Sequence, residues 1–158
     1  MTPPVKLVGL LAAMLLVLPA LGADGSGQVS LSIYVDDDFG KALVVGYIDD
    51  PNSLLFLNDS GQIYEEDTGM VYAVTDSLIG TEGSAGREGR AWCLKFPLKG
   101  NFDEYHAVFY IPGNVDLREV DCSKGLDFLS SSYNGSLVLD VHGFDLTDPA
   151  VSISYQAA

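Results

Sequence analysis

Val29-Ser30-Leu31-Ser32-Ile33-Tyr34-Val35 alternates apolar and polar side chains almost without a break. A strand points successive side chains to opposite faces, so a period of two marks a half-buried strand and excludes an amphipathic helix. The same pattern, or a short apolar run, recurs in the segments 42–48, 54–57, 70–74, 90–96, 105–111, 126–129, 137–142 and 151–155. Gly, Pro, Asn and Asp separate them, the residues that tolerate turn geometry. Eight or nine short strands with no amphipathic helical stripe predict an all-β fold, an antiparallel β-sandwich that is Ig-like in general architecture. Trp92, Leu94 and Phe96 are expected to face Ala107, Phe109 and Ile111 across the core. Cys93 then points away from Trp92, which excludes the antibody-type packing of tryptophan on a disulfide.

Residues 1–22 read as an export signal. Lys6 supplies the positive charge, Leu7 to Leu18 an apolar core, Pro19 a helix breaker and Ala20-x-Gly22 a small-x-small cleavage pattern. Cleavage is expected after Gly22, with Ala23 as the second choice. Retention as an anchor is the alternative, although Pro19 interrupts a segment shorter than the roughly 20 apolar residues of a membrane span. The single domain is therefore residues 23–158, behind a signal-peptide helix.

Cleavage removes one lysine and no acid, which moves the net charge from −14 to −15. Such a chain repels nucleic acid and anionic membrane, so cationic or protein partners are the expected class. Cys93 and Cys122 are the two cysteines, and an exported chain meets an oxidising compartment. They are expected to form a disulfide, which in the chain-entropy picture contributes about 3–4 kcal/mol.

Asp36-Asp37-Asp38-Phe39-Gly40 is the most conspicuous acidic cluster. A calcium loop needs carboxylates at alternate positions and a bidentate Glu at the twelfth, but counting from Asp36 the fifth residue is Gly40 and the twelfth Tyr47. If strands 29–35 and 41–48 pair through this turn, Asp49 and Asp50 lie about 20 Å away at 3.3 Å per residue. The cluster reads as a hairpin turn in which aspartates cap the backbone and the glycine takes positive φ. Calcium held by Asp36, Asp37 and Asp38 would need carboxylates from another loop. Glu65-Glu66-Asp67 reads as a second charged turn.

Catalytic signatures fail one by one. Ser84 in Glu82-Gly-Ser-Ala-Gly86 lacks the first glycine and the following helix of a nucleophile elbow. His106 and His142 fall in strands and, with Asp140, could make a metal or acid–base pair. Dispersed carboxylates leave glycoside chemistry neither supported nor opposed. No resident cofactor is implied. Asn58 and Asn134 open N-x-S sequons in turn contexts. The glycine-rich stretch from Ile79 to Arg90 is the candidate binding loop, with Arg87 and Arg90 as its cations.

From Tyr105 the chain reads YHAVFYIPGNVDL, and from Asp140 it reads DVHGFDLTDPAVSISY. These stretches resemble the extracellular β-rich domains of archaeal envelope proteins, including those carried by membrane-anchored winged-helix regulators. The resemblance implies a sandwich on the outer face of an archaeal membrane and carries no catalytic residues. No apolar span or DNA-binding segment follows Tyr155, so a regulator is not expected. A non-enzymatic module at the cell surface is the leading expectation, a hydrolase using carboxylates or the histidines and a calcium-stabilised module its alternatives.

Overall fold

The structure, a computed structural model, describes residues 27–56, 61–82 and 90–157. The leader, the sequon at Asn58, Ser84 and Arg87 lie outside these residues. The described chain forms eleven strands: β1 (Gln28–Val35), β2 (Ala42–Ile48), β3 (Gly61–Glu65), β4 (Met70–Thr75), β5 (Ile79–Glu82), β6 (Ala91–Pro97), β7 (Asn101–Pro112), β8 (Val115–Cys122), β9 (Leu126–Tyr133), β10 (Ser136–Thr147) and β11 (Ala150–Ala157). Of the 54–57 segment expected as a strand, residue 57 lies outside the described residues, and 54–56 follow a 3-10 turn, Pro51–Ser53, with one isolated bridge, Leu54 to Leu98. Its apolar residues Leu54 and Phe56 are buried as loop anchors rather than as a ladder.

The strands form two sheets. One has seven strands in the order β3-β4-β2-β1-β7-β10-β9, the other four in the order β5-β6-β11-β8. The first is mixed rather than wholly antiparallel, because β1 pairs with β7 in parallel, Val29 beside Tyr105 and Ile33 beside Phe109. Every other pairing is antiparallel, including the β1–β2 hairpin that sets Val35 opposite Ala42 and Val29 opposite Ile48.

Alternation decides which side chains go inside. On β1, Val29, Leu31, Ile33 and Val35 are buried while Ser30 and Tyr34 are exposed. On β7 the buried set is Phe102, Tyr105, Ala107, Phe109 and Ile111. These inner faces meet Leu94, Phe96, Val151, Ile153 and Tyr155 of the smaller sheet in one apolar core. Phe96 stands edge-on to Phe109 with ring centroids 5.7 Å apart, one of the contacts the alternation predicts. Each such buried side chain contributes about 1.5–3 kcal/mol through removal from water.

The β1–β2 turn closes one end of this core. Asp36 accepts the amides of Gly40 (2.8 Å) and Lys41 (3.0 Å) on Oδ1, and the Phe39 amide donates to the Asp36 carbonyl. The positive φ expected of the glycine falls on Phe39 instead, at 57°. That conformation turns the Phe39 ring inward, against Trp92 at 4.6 Å and Tyr155 at 5.7 Å.

The two cysteines are free thiols, which corrects the expected disulfide. They lie on the two strands that flank β11, where Cys93 is opposite Ser154 and Cys122 opposite Val151. Strands two places apart in a sheet are separated by about 10 Å, beyond the ~7 Å Cα limit of a disulfide. The parity of β11 also sends the thiols to opposite faces, Cys122 with inward Val151 and Cys93 with outward Ser154. Cys93 Sγ lies 3.4 Å from Ser152 Oγ. Burial, followed by the charges of Asp121 and Asp127, pushes the Cys122 thiol up and away from thiolate chemistry.

Candidate functional site

The side of the seven-stranded sheet that faces away from the core carries the unusual surface. Cross-strand registers arrange its outward side chains in rows. The first row runs Val74, Leu43, Tyr34, Tyr110, Val138, and is apolar or aromatic over five strands. The second runs Ile63, Tyr72, Val45, Ser32, Val108, Asp140, Leu129 across all seven. The third turns polar: Glu65, Met70, Tyr47, Ser30, His106, His142, Asp127.

An antiparallel sheet with one wet face normally presents polar side chains there. Here Ile63 is 65% exposed and Leu129 69%, with Tyr34, Leu43, Tyr72 and Val74 also exposed. Tyr34 and Tyr110 stack on each other with ring centroids 4.7 Å apart and planes nearly parallel at 7°. None of these residues stands out as a site in the sequence. The one available signal was the apolar composition of Ala42–Ile48, in which both parities of the strand are hydrophobic.

The polar row borders a groove of about 760 Å³ lined by Ser30, Tyr47, Asp67, Thr68, Glu104 and His106, among others. His106 and His142 do share this face, directly opposite each other in register. His106 Nε2 lies 2.9 Å from Asp140 Oδ1, and both side chains are a little under half exposed. Ser30 is the register neighbour of His106 on the other side, so serine, histidine and aspartate follow one another over three adjacent strands. No hydrogen bond joins Ser30 to His106 among the described residues. Strand amides at this position belong to the ladders, which removes the usual donors of an oxyanion hole. Tyr47 donates its hydroxyl to Asp49, a contact that, with burial and the Asp49 charge, pushes its phenol up to about 12.

At the opposite end of the face lies a recess of about 490 Å³ between the stacked tyrosines and the turns around Asn114 and Asn134. Two residues singled out in the sequence, Asp37 and Asn134, meet there. Asp38 is exposed beside them, and Asp36 is occupied by the turn amides. Asp49 accepts the Gln28 amide and Asp50 the Asn52 amide, so each is engaged locally at the far end of the hairpin. Among the described residues no three His, Cys, Asp or Glu side chains converge as a metal-holding group. Arg90 is exposed immediately before β6, a strand of the other sheet. Asn134 is exposed at the β9–β10 turn.

The chain matches no protein-family model and no curated protein sequence. No described helix is long and apolar enough to cross a membrane.

Proposed function

We propose that this chain is an exported, non-enzymatic module of Ig-like sandwich architecture that binds a protein partner at the cell surface through the outer face of its seven-stranded sheet. One observation carries the reading: Val74, Leu43 and Tyr34 of the first outward row, continued by half-buried Tyr110 and Val138, join Ile63, Tyr72 and Val45 of the second as a contiguous apolar surface, bordered by Ser32, Asp140 and the polar row with Glu65. An apolar centre with a polar rim is the anatomy of a protein-binding patch, and monomers rarely leave such a patch open without use. Export is supported by the leader-like residues 1–22, and an archaeal envelope setting by the resemblance of the C-terminal stretches.

The test is retention on envelope fractions from the native cells. Tyr72→Lys with Leu43→Lys is expected to weaken retention about tenfold or more, since central aromatic and aliphatic anchors dominate such interfaces. The melting temperature should hold, because both side chains point away from the core. Undiminished retention by the double variant would remove the reading.

A second reading rests on Ser30, His106 and Asp140, on three adjacent strands beside the 760 Å³ groove, which is the geometry of a hydrolase in outline. Its exposure and the committed backbone amides weigh against it. Ester hydrolysis that is abolished by Ser30→Ala and His106→Gln would favour it over the binding module.

A further inference from the structure

Among the described residues the two sheets have four edges, β3, β9, β5 and β8, and they are not alike. β5 is four residues long and β3 five, too short to template much pairing. β8 is eight residues long but carries Asp116, Arg118, Glu119 and Asp121, and its pairing with β11 is broken by a bulge. Short length, charge and bulges are the devices that keep an edge from recruiting another strand. β9, Leu-Asp-Phe-Leu-Ser-Ser-Ser-Tyr, has none of them. It is eight residues long, pairs regularly with β10 along its whole length, carries one charge at Asp127 and contains no proline. All but Leu126 are exposed.

The β9–β10 hairpin fixes which backbone groups are free. Its loop is the two residues Asn134 and Gly135, both with positive φ (47° and 75°), the backbone of a type I′ turn. Tyr133 and Ser136 therefore close the hairpin as a hydrogen-bonded pair. Counting back by twos, Ser131, Leu129 and Asp127 also spend their amides on β10, and Phe128, Ser130 and Ser132 turn theirs to the open edge.

We infer that this edge pairs with β9 of a second copy of the chain, antiparallel about a two-fold axis at Ser130, to join two seven-stranded sheets into one. The register is self-consistent. Ser130 meets Ser130 and Phe128 meets Ser132 as hydrogen-bonded pairs, using the free amides, while Leu129 meets Ser131. Asp127 falls opposite Tyr133, so no carboxylate faces another even though each copy carries a net charge of −14. The axis stands perpendicular to the sheet, so outward residues of one copy continue the outward face of the other, and Leu129 and Tyr133 become central. The pairing rests on the backbone edge, and of the outward apolar residues only Leu129, set apart from the others by Asp140, lies at the seam.

Sedimentation equilibrium of the purified chain, with amide hydrogen exchange, tests it. Dimerisation is expected to strengthen as salt is raised, because like-charged copies repel less when screened over about 10 Å at 0.1 M. Binding of a basic strand from another protein would weaken instead. The amides of Phe128, Ser130 and Ser132 should gain protection as concentration rises. Ser130→Pro removes the two central donors while leaving the β10 ladder intact, and should weaken association about tenfold or more. Ser130→Lys, which sets two ammonium groups opposite each other on the axis, checks the result if the proline variant does not fold. A chain that stays monomeric at every concentration and salt overturns the proposal, as does a dimer that neither substitution weakens.

Discussion

Phe39 holds a backbone conformation that phenylalanine rarely adopts, and its ring explains why. A non-glycine residue in the left-handed region costs on the order of 1–3 kcal/mol, whereas the buried ring fills the end of the core between Trp92 and Tyr155. Phe39→Ala is therefore expected to cost about 3–5 kcal/mol, read as a shift of the urea midpoint. Gly40→Ala should change little, because a Cβ there meets nothing within 4 Å. The tyrosines give a second prediction. Burial raises Tyr105 and Tyr155, and the Asp49 contact raises Tyr47 to about 12, each from an ordinary value of 10. A group raised in the folded state contributes stability that is fully present below the unfolded value, near pH 10, and is lost as pH rises through the folded one. Phenolate absorbance should therefore rise in two stages, the later coinciding with loss of tertiary structure and shrinking in Tyr105→Phe with Tyr155→Phe. A single stage near pH 10 would contradict the burial. Neither inner hydroxyl has a hydrogen-bond partner among the described residues, so these phenylalanines should cost no stability.

At the scale of elements, reductant should leave the melting temperature unchanged, and unfolding should release two titratable thiols. A reductant-sensitive melting point would mean that β6 and β8 are not both partners of β11. The disulfide expectation came from compartment and parity of count, neither of which contains register; only the insertion of β11 between the two cysteine strands reveals their separation. Strands with one buried and one wet face were legible, as in β1 and β11. β8 was not, because its four charges leave only Val115, Val120 and Cys122 half-buried, too sparse to read as alternation. β5 was hidden in a glycine-rich stretch, and its pairing of Ile79 with Leu94 is a tertiary fact. The outer face was hard to read for the opposite reason. Leu43, Val45, Tyr72 and Val74 are apolar where alternation calls for polar residues, which resembles a strand buried on both sides.

For the whole molecule, surplus negative charge is the dominant long-range term. Over the whole chain twenty-two acidic residues stand against eight basic ones, and the surplus carboxylates repel one another. Added sodium chloride should raise the melting temperature between low and physiological ionic strength and then level off as the Debye length falls below about 10 Å. A melting temperature independent of salt would show that local contacts, such as Asp36 with its turn amides, already offset the repulsion. The placement of β1 bears on how the molecule is made. Synthesis proceeds from the N-terminus, and β1 can form its hairpin with β2 early, but its other edge waits for β7, whose Tyr105 pairs with Val29. Until then a strand destined for the middle of the sheet has an open side. Completing it by a parallel, long-range pairing is slow because the intervening chain must be ordered first. The nascent chain thus passes through a stage with an exposed, sticky strand, and a holding chaperone that shields extended apolar segments should raise its folding yield.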